Sequence, residues 1–439
     1  MTLDTTELDT TDLDTAEPQT RAGVDPQRWP DVAAVPSSSA ARLRGAVAHA
    51  LFRRATADLP IAIHRPGRGT AAAGGDGERP RMIITDPTAL ARRIGTSGLI
   101  GFGESYMAGE WHADDLVGVL EPFAARIARL VPPSLQRLRA LVLPGHPDDE
   151  ENSVGNTRSN IARHYDLSND LFAVFLDETL TYSSGLFASD RHAAQASFAD
   201  LADAQRVKID RLLDQAGVGP GTRLLEIGTG WGELCLRAAA RGAQVHSITL
   251  SSEQRELAWR RVCAAGLGER VRIDLLDYRE VRGRYDAVVS VEMIEAVGRE
   301  YWETYFQTID RLLVPGGRAA IQAITMPHER MLASAGTYTW VHKYIFPGGQ
   351  LPSVQALRAA AQRDTGLRVH DELSFGRHYA ATLALWRQRF AANRRRVADL
   401  GFDGTFMRMW DLYLAYSEAG FRSGYLDVRQ LTFGKQVRP

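Results

Sequence analysis

Cysteine, excess charge of one sign and long apolar runs are all scarce in this 439-residue sequence. Its two cysteines, Cys235 and Cys263, are too few for a disulfide framework or a metal site, and both lie in predicted helices, which favours reduced, buried thiols. The 52 basic and 53 acidic residues nearly cancel, so we expect no nucleic-acid partner. Neither a stretch of about 20 apolar residues nor a signal-peptide pattern is present. We therefore expect a cytoplasmic protein that touches a membrane only from outside the bilayer.

Composition divides the chain into four parts. Residues 1–17 hold six acidic and no basic side chains, which predicts a disordered acidic tail over residues 1–30. The polar, breaker-rich sequence PGHPDDEENSVGN at 144–156 predicts a linker. The linker separates a smaller N-terminal α+β domain, residues 31–143, from a catalytic domain, residues 157–439.

A basic amphipathic helix is predicted near the start of the first domain, capped by Ser38 or Ser39. Its apolar stripe and its flanking arginines are Leu43, Val47, Leu51 and Phe52, and Arg42, Arg44, Arg53 and Arg54. Such a stripe either packs on its own domain or lies on an anionic lipid surface, and the first is favoured.

Helices and strands alternate from residue 200 onwards. Ile209, Leu212, Leu213 and Ala216 have helical spacing, and the strands RLLEI, QVHSITL, VRIDLLD and YDAVVSV follow with helices between them. This alternation predicts an α/β fold with a parallel sheet covered by helices on both faces. A ligand should bind at the carboxyl ends of those strands.

The most informative loop is EIGTGWG, which follows the strand RLLEI. Gly228, Gly230 and Gly232 occupy alternate positions between a strand and a helix, where the backbone can turn tightly and approach a ligand. A dinucleotide fingerprint requires GxGxxG, but position 233 is Glu, and no acidic residue ends the second strand. The spacing argues against an NAD-linked oxidoreductase.

Glu226 precedes the glycines by two residues and resembles the acidic residue of the class I methyltransferase motif. In that motif a carboxylate supports the loop and the amino end of the methionine. The resemblance implies S-adenosylmethionine as cofactor and a Rossmann-like seven-stranded sheet.

Several other segments resemble one family, the cyclopropane fatty acid synthases and their relatives that modify mycolic and other fatty acyl chains. The resemblance covers roughly residues 100–435, in the family's order. The N-terminal segments RWPDV and ALFRR look most like the actinobacterial branch that methylates oleoyl chains on the way to tuberculostearic acid, which implies a lipid-handling role for this domain. The matching segments are GESYMAGEW (103–111), NIARHYDLSNDLF (160–172), TYSSGLF (181–187), SITLSSEQ (247–254), SVEMIEAVG (290–298), KYIFPGGQLPS (343–353) and RHYAATLALW (377–386).

The resemblance also implies site residues. Those assigned to S-adenosylmethionine are Tyr182, Ser183, Glu226, Gly228, Gly230, Gly232, Thr249, Leu250, Gln254, Asp277 and Tyr278. His164, Tyr165 and Asp170 belong to a segment that helps close the active site, and the resemblance counts His164 among the catalytic residues. In the family a bicarbonate ion acts as base beside the reacting carbon, and the positions that match its ligands are Glu295, Tyr379, Gln322, Ser184 and Ile324. No metal is implied.

Three positions depart from the family pattern. Ser184 stands where many members have Cys, Gln322 where many have His, and Ala296 replaces the His that commonly follows the glutamate. Serine still offers a backbone amide, whereas a glutamine cannot carry charge near neutral pH and so changes the electrostatics around the anion.

The resemblance implies methylation of the cis double bond of an oleoyl phospholipid, giving a methylene branch at carbon 10. A separate flavin-dependent reductase would then saturate that branch. The alternatives are a cyclopropane synthase on the same substrate and a lipid-binding subunit without catalysis. We also expect a homo-oligomer associated with the inner face of the membrane.

Overall fold

A computed structural model describes residues 23–65, 79–130 and 168–436 of the chain, with the side chains of all but residues 127–130. Its strands are β1 (Ala62–His64), β2 (Arg81–Ile84), β3 (Trp111–Ala113), β4 (Arg223–Ile227), β5 (Gln244–Thr249), β6 (Val271–Leu275), β7 (Tyr285–Val291), β8 (Leu313–Thr325), β9 (Leu367–Ser374) and β10 (Asp427–Lys435). Its N-terminal helices are α1 (Pro30–Ala33), α2 (Ser39–Ala57), α3 (Pro87–Ser97), α4 (Leu99–Met107) and α5 (Leu116–Leu130). The later helices are α6 (Asn169–Phe175), α7 (Asp190–Gln195), α8 (Leu201–Gln215), α9 (Glu233–Ala240), α10 (Ser252–Ala264), α11 (Trp302–Leu312), α12 (His328–Ser334), α13 (Trp340–Tyr344), α14 (Val354–Gln362), α15 (Gly376–Ala392), α16 (Arg394–Asp399) and α17 (Gly404–Arg422).

Seven strands form the large sheet, in the order β6-β5-β4-β7-β8-β10-β9. The first five are parallel, and β10 runs antiparallel to both of its neighbours. A separate sheet, β1-β2-β3, belongs to the N-terminal part. The predicted α/β fold, with a seven-stranded sheet and a smaller α+β portion before it, is confirmed.

Burial explains why the predicted helix before the cofactor loop forms. Helix α8 buries Ile209, Leu212 and Leu213, as the helical spacing of these residues indicates, and β4 after it is buried at four of its five positions. The order β6-β5-β4-β7-β8 places β4 and β7 side by side. Because these two strands are parallel, their carboxyl ends meet at the same edge of the sheet.

The N-terminal part is built around a buried ion pair. Arg93 on α3 donates to Glu110 at 2.9 Å, and both side chains are at most 1% exposed. The same guanidinium donates to the carbonyl oxygens of Asp31 and Val32, at 2.7 and 2.6 Å, which fixes α1 against α3. Full pairing is what allows these charges to be buried.

Residues 23–30 correct the predicted boundary of the acidic tail. Val24 is 5% exposed, and the Trp29 indole donates to Asp403 at 2.8 Å. This part of the predicted tail therefore packs on the folded protein, because an apolar and an aromatic side chain find partners there. The predicted linker at 144–156 lies outside the described residues.

One hydrophobic core joins the N-terminal part to helices α6, α15 and α17. Tyr106 on α4 donates to Asp411 on α17 at 2.9 Å. Lys343 and Tyr344 both donate to the buried Glu104, at 2.6 and 2.9 Å. These contacts hold α4 against α13 and α17, next to the large sheet.

Helix α2 is capped by Ser38, whose hydroxyl accepts from the Ala41 amide at 3.2 Å, but its predicted packing face is wrong. The helix buries Ala41, Gly45 and Ala48. A Cβ on Gly45 would lie 3.1 Å from Arg92 Cγ, and one on Gly95 would lie 2.6 Å from the Arg44 carbonyl carbon. Helices α2 and α3 therefore lie so close together that only the face of α2 with small side chains fits between them.

The apolar stripe of α2 faces outward as a result. Leu43, Val47 and Leu51 are 71%, 56% and 42% exposed, and only Phe52 of the predicted stripe turns inward, toward Phe102. Cysteine burial is also corrected in part, because Cys235 is buried whereas Cys263 is exposed. Among the described residues, no helix is long and apolar enough to cross a membrane.

Candidate active site

The cofactor loop has the backbone that its glycines predict. Gly228, Gly230 and Gly232 have φ of +99°, +53° and +92°, values that L side chains rarely adopt. A Cβ on Gly232 would also lie 2.9 Å from the Ala258 Cβ, so α9 can start this close to α10 only from glycine. The amides of Gly228 and Thr229 donate to the Ile248 carbonyl, at 3.0 and 3.1 Å, which ties the loop to β5.

Glu226 lies beneath this loop and is 2% exposed. Its carboxylate accepts a hydrogen bond from Ser247 on β5 at 2.5 Å, and the Ser247 hydroxyl is also 2.7 Å from that of Thr229. Burial raises the pKa of Glu226 to about 8. A buried carboxyl beside these open backbone turns fits the amino group of a bound methionine moiety. The positive charge of that amino group would favour the ionised form of Glu226.

Other predicted cofactor residues lie at the ends of β5 and β6. The Thr249 hydroxyl donates to the Gln254 side chain at 3.1 Å, and Leu250 follows half-buried at the start of the turn into α10. Asp277 binds the Arg279 guanidinium at 2.7 Å. Tyr278 packs edge-on against Tyr305 with ring centroids 5.5 Å apart, in the core beneath the sheet edge. The structure thus groups Thr249, Leu250 and Gln254, while the carboxylate of Asp277 is already paired.

The segment from Tyr182 to Ser184 crosses the carboxyl end of the sheet. The Tyr182 and Tyr413 hydroxyls are 2.8 Å apart. Ser183 accepts a hydrogen bond from the buried Lys208 ammonium at 2.6 Å, and burial lowers the pKa of this lysine to about 8. The Ser184 hydroxyl donates to the carbonyl oxygen of Gly185, so the backbone amide is the group that Ser184 presents to the site.

The centre of the site is a carboxylate that the sequence analysis did not select. Glu292 follows β7 directly and accepts hydrogen bonds from the Ser184 amide at 3.1 Å, from Gln322 Nε2 at 2.7 Å and from the Tyr379 hydroxyl at 2.7 Å. Burial raises its pKa, and these donors together with the nearby Lys208 charge act against that rise. Burial and the charge of Glu292 also raise the pKa of Tyr379, so its hydroxyl stays protonated and donates.

Gln322 is fixed at both ends of its amide. Its carbonyl oxygen accepts from Gln430 Nε2 at 3.0 Å, while its own amide nitrogen donates to Glu292. Gln430 in turn accepts from Arg211 at 2.8 Å. The departure from histidine at position 322 therefore supplies a neutral, oriented donor to a charged neighbour.

Glu295 lies close to this centre but has a different environment. One of its oxygens accepts the Ile324 backbone amide, and the other is buried without a hydrogen-bond partner. Burial, followed by the charge of Glu292, raises the pKa of Glu295 to about 8. The three donors and the Lys208 charge favour the ionised form of Glu292, whereas Glu295 is mostly protonated at pH 7.

The family's bicarbonate does not fit these residues. Ser184, Gln322 and Tyr379, which the resemblance assigns to the anion, already donate to Glu292. Ile324 donates to Glu295. A further anion would meet occupied donors and two carboxyl groups. His164, the remaining predicted catalytic residue, lies outside the described residues, as does Tyr165.

The segment after His164 still contacts the cofactor loop. Asn169, in the first turn of α6, accepts a hydrogen bond from the Trp231 indole at 2.7 Å. Asp170 beside it is exposed. The described end of this segment therefore lies against the glycine loop at Asn169.

Glu292 could have been found from the sequence by position alone. It is an acidic residue immediately after a buried parallel strand, at the edge where α/β folds bind ligands. Its φ of +49° is a further signal that only the structure gives, because strained backbone at a non-glycine residue is concentrated at functional sites. Lys208 gave no signal, since it reads as an ordinary polar position of α8.

Aromatic side chains enclose the site. Phe172 lies 5.0 Å from Tyr182 and 4.9 Å from Trp231, and Trp386 lies 5.3 Å from Tyr182, measured between ring centroids. Trp340, by contrast, donates to the Met107 sulfur and packs on α4, as core. The ring cluster makes a low-dielectric wall whose faces can stabilise a cation.

Comparisons with known proteins agree with this geometry. Residues 152–431 match the family described as mycolic acid cyclopropane synthetase. The chain is 56% identical over 418 residues to the tuberculostearic acid methyltransferase UfaA1 of Mycobacterium tuberculosis, which covers 95% of this chain and 98% of that protein. It is 31% identical over 373 residues to the cyclopropane-fatty-acyl-phospholipid synthase of Escherichia coli, covering 82% of this chain and 90% of the relative.

Solved structures give the same result. Mycolic acid cyclopropane synthase CmaA1, in complex with SAH and CTAB, superposes with a TM-score of 0.58 at 32% identity, over 63% of this chain and 98% of that one. The fold, the glycine loop and these relatives together confirm an S-adenosylmethionine-dependent methyltransferase. The chain belongs to the mycolic acid cyclopropane synthetase family.

Proposed function

We propose that this enzyme methylates the cis double bond of an oleoyl chain in a membrane phospholipid and releases a chain with a methylene branch at carbon 10. The observation that carries the proposal is the 56% identity to a tuberculostearic acid methyltransferase along 95% of this chain. The site adds a half-buried carboxylate, Glu292, and an aromatic wall, which this chemistry needs.

Bound S-adenosylmethionine supplies a methyl group on a positively charged sulfur. An isolated alkene is a weak nucleophile, so the protein must hold it in line with that methyl group and exclude water from the cation that results. Phe172, Tyr182 and Trp386 form an aromatic cluster beside the site, and rings of this kind exclude water and can stabilise a cation. A hydride shift followed by loss of a proton from the new methyl group gives the methylene branch, whereas direct proton loss with ring closure gives cyclopropane.

The product assay tests this proposal. Purified enzyme incubated with dioleoyl phosphatidylglycerol and S-adenosylmethionine should give a methylene-branched ester when the acyl chains are analysed by mass spectrometry. A cyclopropane ring as the main product would overturn the methylene proposal and favour the alternative synthase activity, which the 31% identical Escherichia coli relative represents. A methylene product would be the substrate of a flavin-dependent reductase, which remains part of the proposal, as does a homo-oligomeric enzyme.

We also propose that the outward stripe of α2 binds the membrane that holds the substrate. Leu43, Val47 and Leu51 are spaced four residues apart and are 71%, 56% and 42% exposed. Arg42, Arg44, Arg53 and Arg54 are exposed beside them. An apolar stripe flanked by cations matches the surface of an anionic bilayer.

Changing Leu43, Val47 and Leu51 together to serine should lower binding to anionic vesicles at least fivefold, because each buried aliphatic side chain contributes roughly 1.5–3 kcal/mol. Vesicle co-sedimentation at low and at high salt measures this. The matched control is Val207→Ser, an equally exposed apolar position on α8, which should leave binding unchanged. Equal binding by the triple variant and the wild type would contradict the membrane role of this face.

A further inference from the structure

Glu292 combines three features that seldom occur together in one side chain. Its side chain is half-buried, its backbone has a φ of +49°, and its carboxylate accepts one hydrogen bond from each of three separate elements. Left-handed backbone is unfavourable for a glutamate, so the surrounding fold must stabilise it. This strained backbone places the carboxylate among its three hydrogen-bond donors.

The Glu292 carboxylate occupies the position at which the hydrogen-bond donors for a bound bicarbonate would converge. Ser184, Gln322 and Tyr379 are three of the five residues that the family resemblance assigns to bicarbonate, and each gives its donor to Glu292. The Lys208 ammonium acts on the same carboxylate, which favours its charged form. The anion is thus present, but it is covalently part of the chain.

We infer that Glu292 is the built-in base of this enzyme and that the enzyme works without bicarbonate. The inference rests on the proposed function for the identity of the proton it removes. In that reaction the carboxylate oxygen forms an O–H bond with a proton of the newly added methyl group. The C–H electron pair becomes the second bond of the exocyclic alkene, the cation is neutralised, and Glu292 becomes a neutral acid that returns the proton to solvent between turnovers.

The neighbouring residues are arranged for a base that belongs to the protein, the Glu292 carboxylate, and not for a bicarbonate ion that enters from solution. Gln430 holds the carbonyl end of Gln322, so the donor end points to Glu292 in every turnover. Tyr379 donates from a hydroxyl that stays protonated. Gln322 and Tyr379 are therefore positioning residues that orient the carboxylate and preserve its charge.

Bicarbonate depletion and anion rescue test the inference. Wild-type turnover should be unchanged in carbon-dioxide-free buffer. Glu292→Gly removes the carboxylate, relieves the left-handed strain and leaves the three donors around an empty space, so turnover should fall at least hundredfold. Bicarbonate or formate should then restore it at least tenfold with saturation. Glu292→Gln is the matched control, since its amide fills the space and should not be rescued.

A binding measurement separates this inference from the proposed function. Carbon-13-labelled bicarbonate, followed by NMR line broadening, should bind to Glu292→Gly and not to the wild type, whatever the acyl substrate is. Thermal unfolding and SAH affinity should show that both variants are folded. Bicarbonate binding to the wild type, loss of its activity on depletion, full activity of Glu292→Gln, or a folded Glu292→Gly that neither anion rescues would each overturn the inference.

Discussion

Glu292→Gln should lower turnover about a hundredfold to ten-thousandfold, whereas Glu295→Gln should lower it less than tenfold. Both changes replace a half-buried carboxyl by an amide of the same shape. The ionised form of Glu292 is favoured because three donors hydrogen-bond to its carboxylate and the Lys208 charge lies nearby. Glu295, whose pKa lies at about 8, is already neutral at pH 7, so an amide resembles its working form.

Steady-state kinetics with saturating S-adenosylmethionine measures both effects, and each variant serves as the control for the other. The Glu292 variant should lose kcat with little change in KM, because the base acts after both substrates are bound. The reverse order, with the Glu295 variant inactive and the Glu292 variant active, would return the central role to the residue that the family resemblance indicates.

Glu226→Gln should weaken the binding of S-adenosylmethionine about tenfold to a hundredfold, the value of a charge-assisted hydrogen bond. In the ligand-free protein burial raises the pKa of Glu226 to about 8, so the carboxyl is mostly protonated at pH 6. Binding a cationic amino group favours the ionised form and expels this proton. Affinity should therefore rise with pH between 6 and 7.5 by about tenfold per pH unit.

Isothermal titration calorimetry at several pH values measures this dependence. The glutamine variant cannot lose a proton, so its affinity should stay flat over the same range. A wild-type affinity that is independent of pH, or a glutamine variant that binds as tightly as the wild type, would show that Glu226 does not contact the amino group.

The parts of the site that follow strand periodicity could be predicted from the sequence. The strand RLLEI, its three glycines and Glu226 are in their expected places because a buried strand and left-handed turns leave a local pattern. The helix containing Ile209, Leu212 and Leu213 could likewise be predicted, because these apolar residues have helical spacing. The overall fold follows from the alternation of such elements.

The charge distribution across the site could not be predicted in this way. Gln322 looked like a weakened bicarbonate ligand because its partner, Glu292, lies 30 positions earlier in the chain, and the contact exists only once β7 and β8 pair. The outward face of α2 was missed for a similar reason. Which side of that helix is buried depends on the approach of α3 at Gly45 and Gly95, and local hydrophobicity does not report it.

The central claim is that a cation formed on the acyl chain is rearranged by a hydride shift before a proton is lost. The most direct measurement uses an oleoyl phospholipid with deuterium on both alkene carbons, and locates the label in the product by NMR and mass spectrometry. We expect both deuterium atoms on carbon 9 and a new methylene group at carbon 10. One deuterium on each of two cyclopropane ring carbons would contradict it.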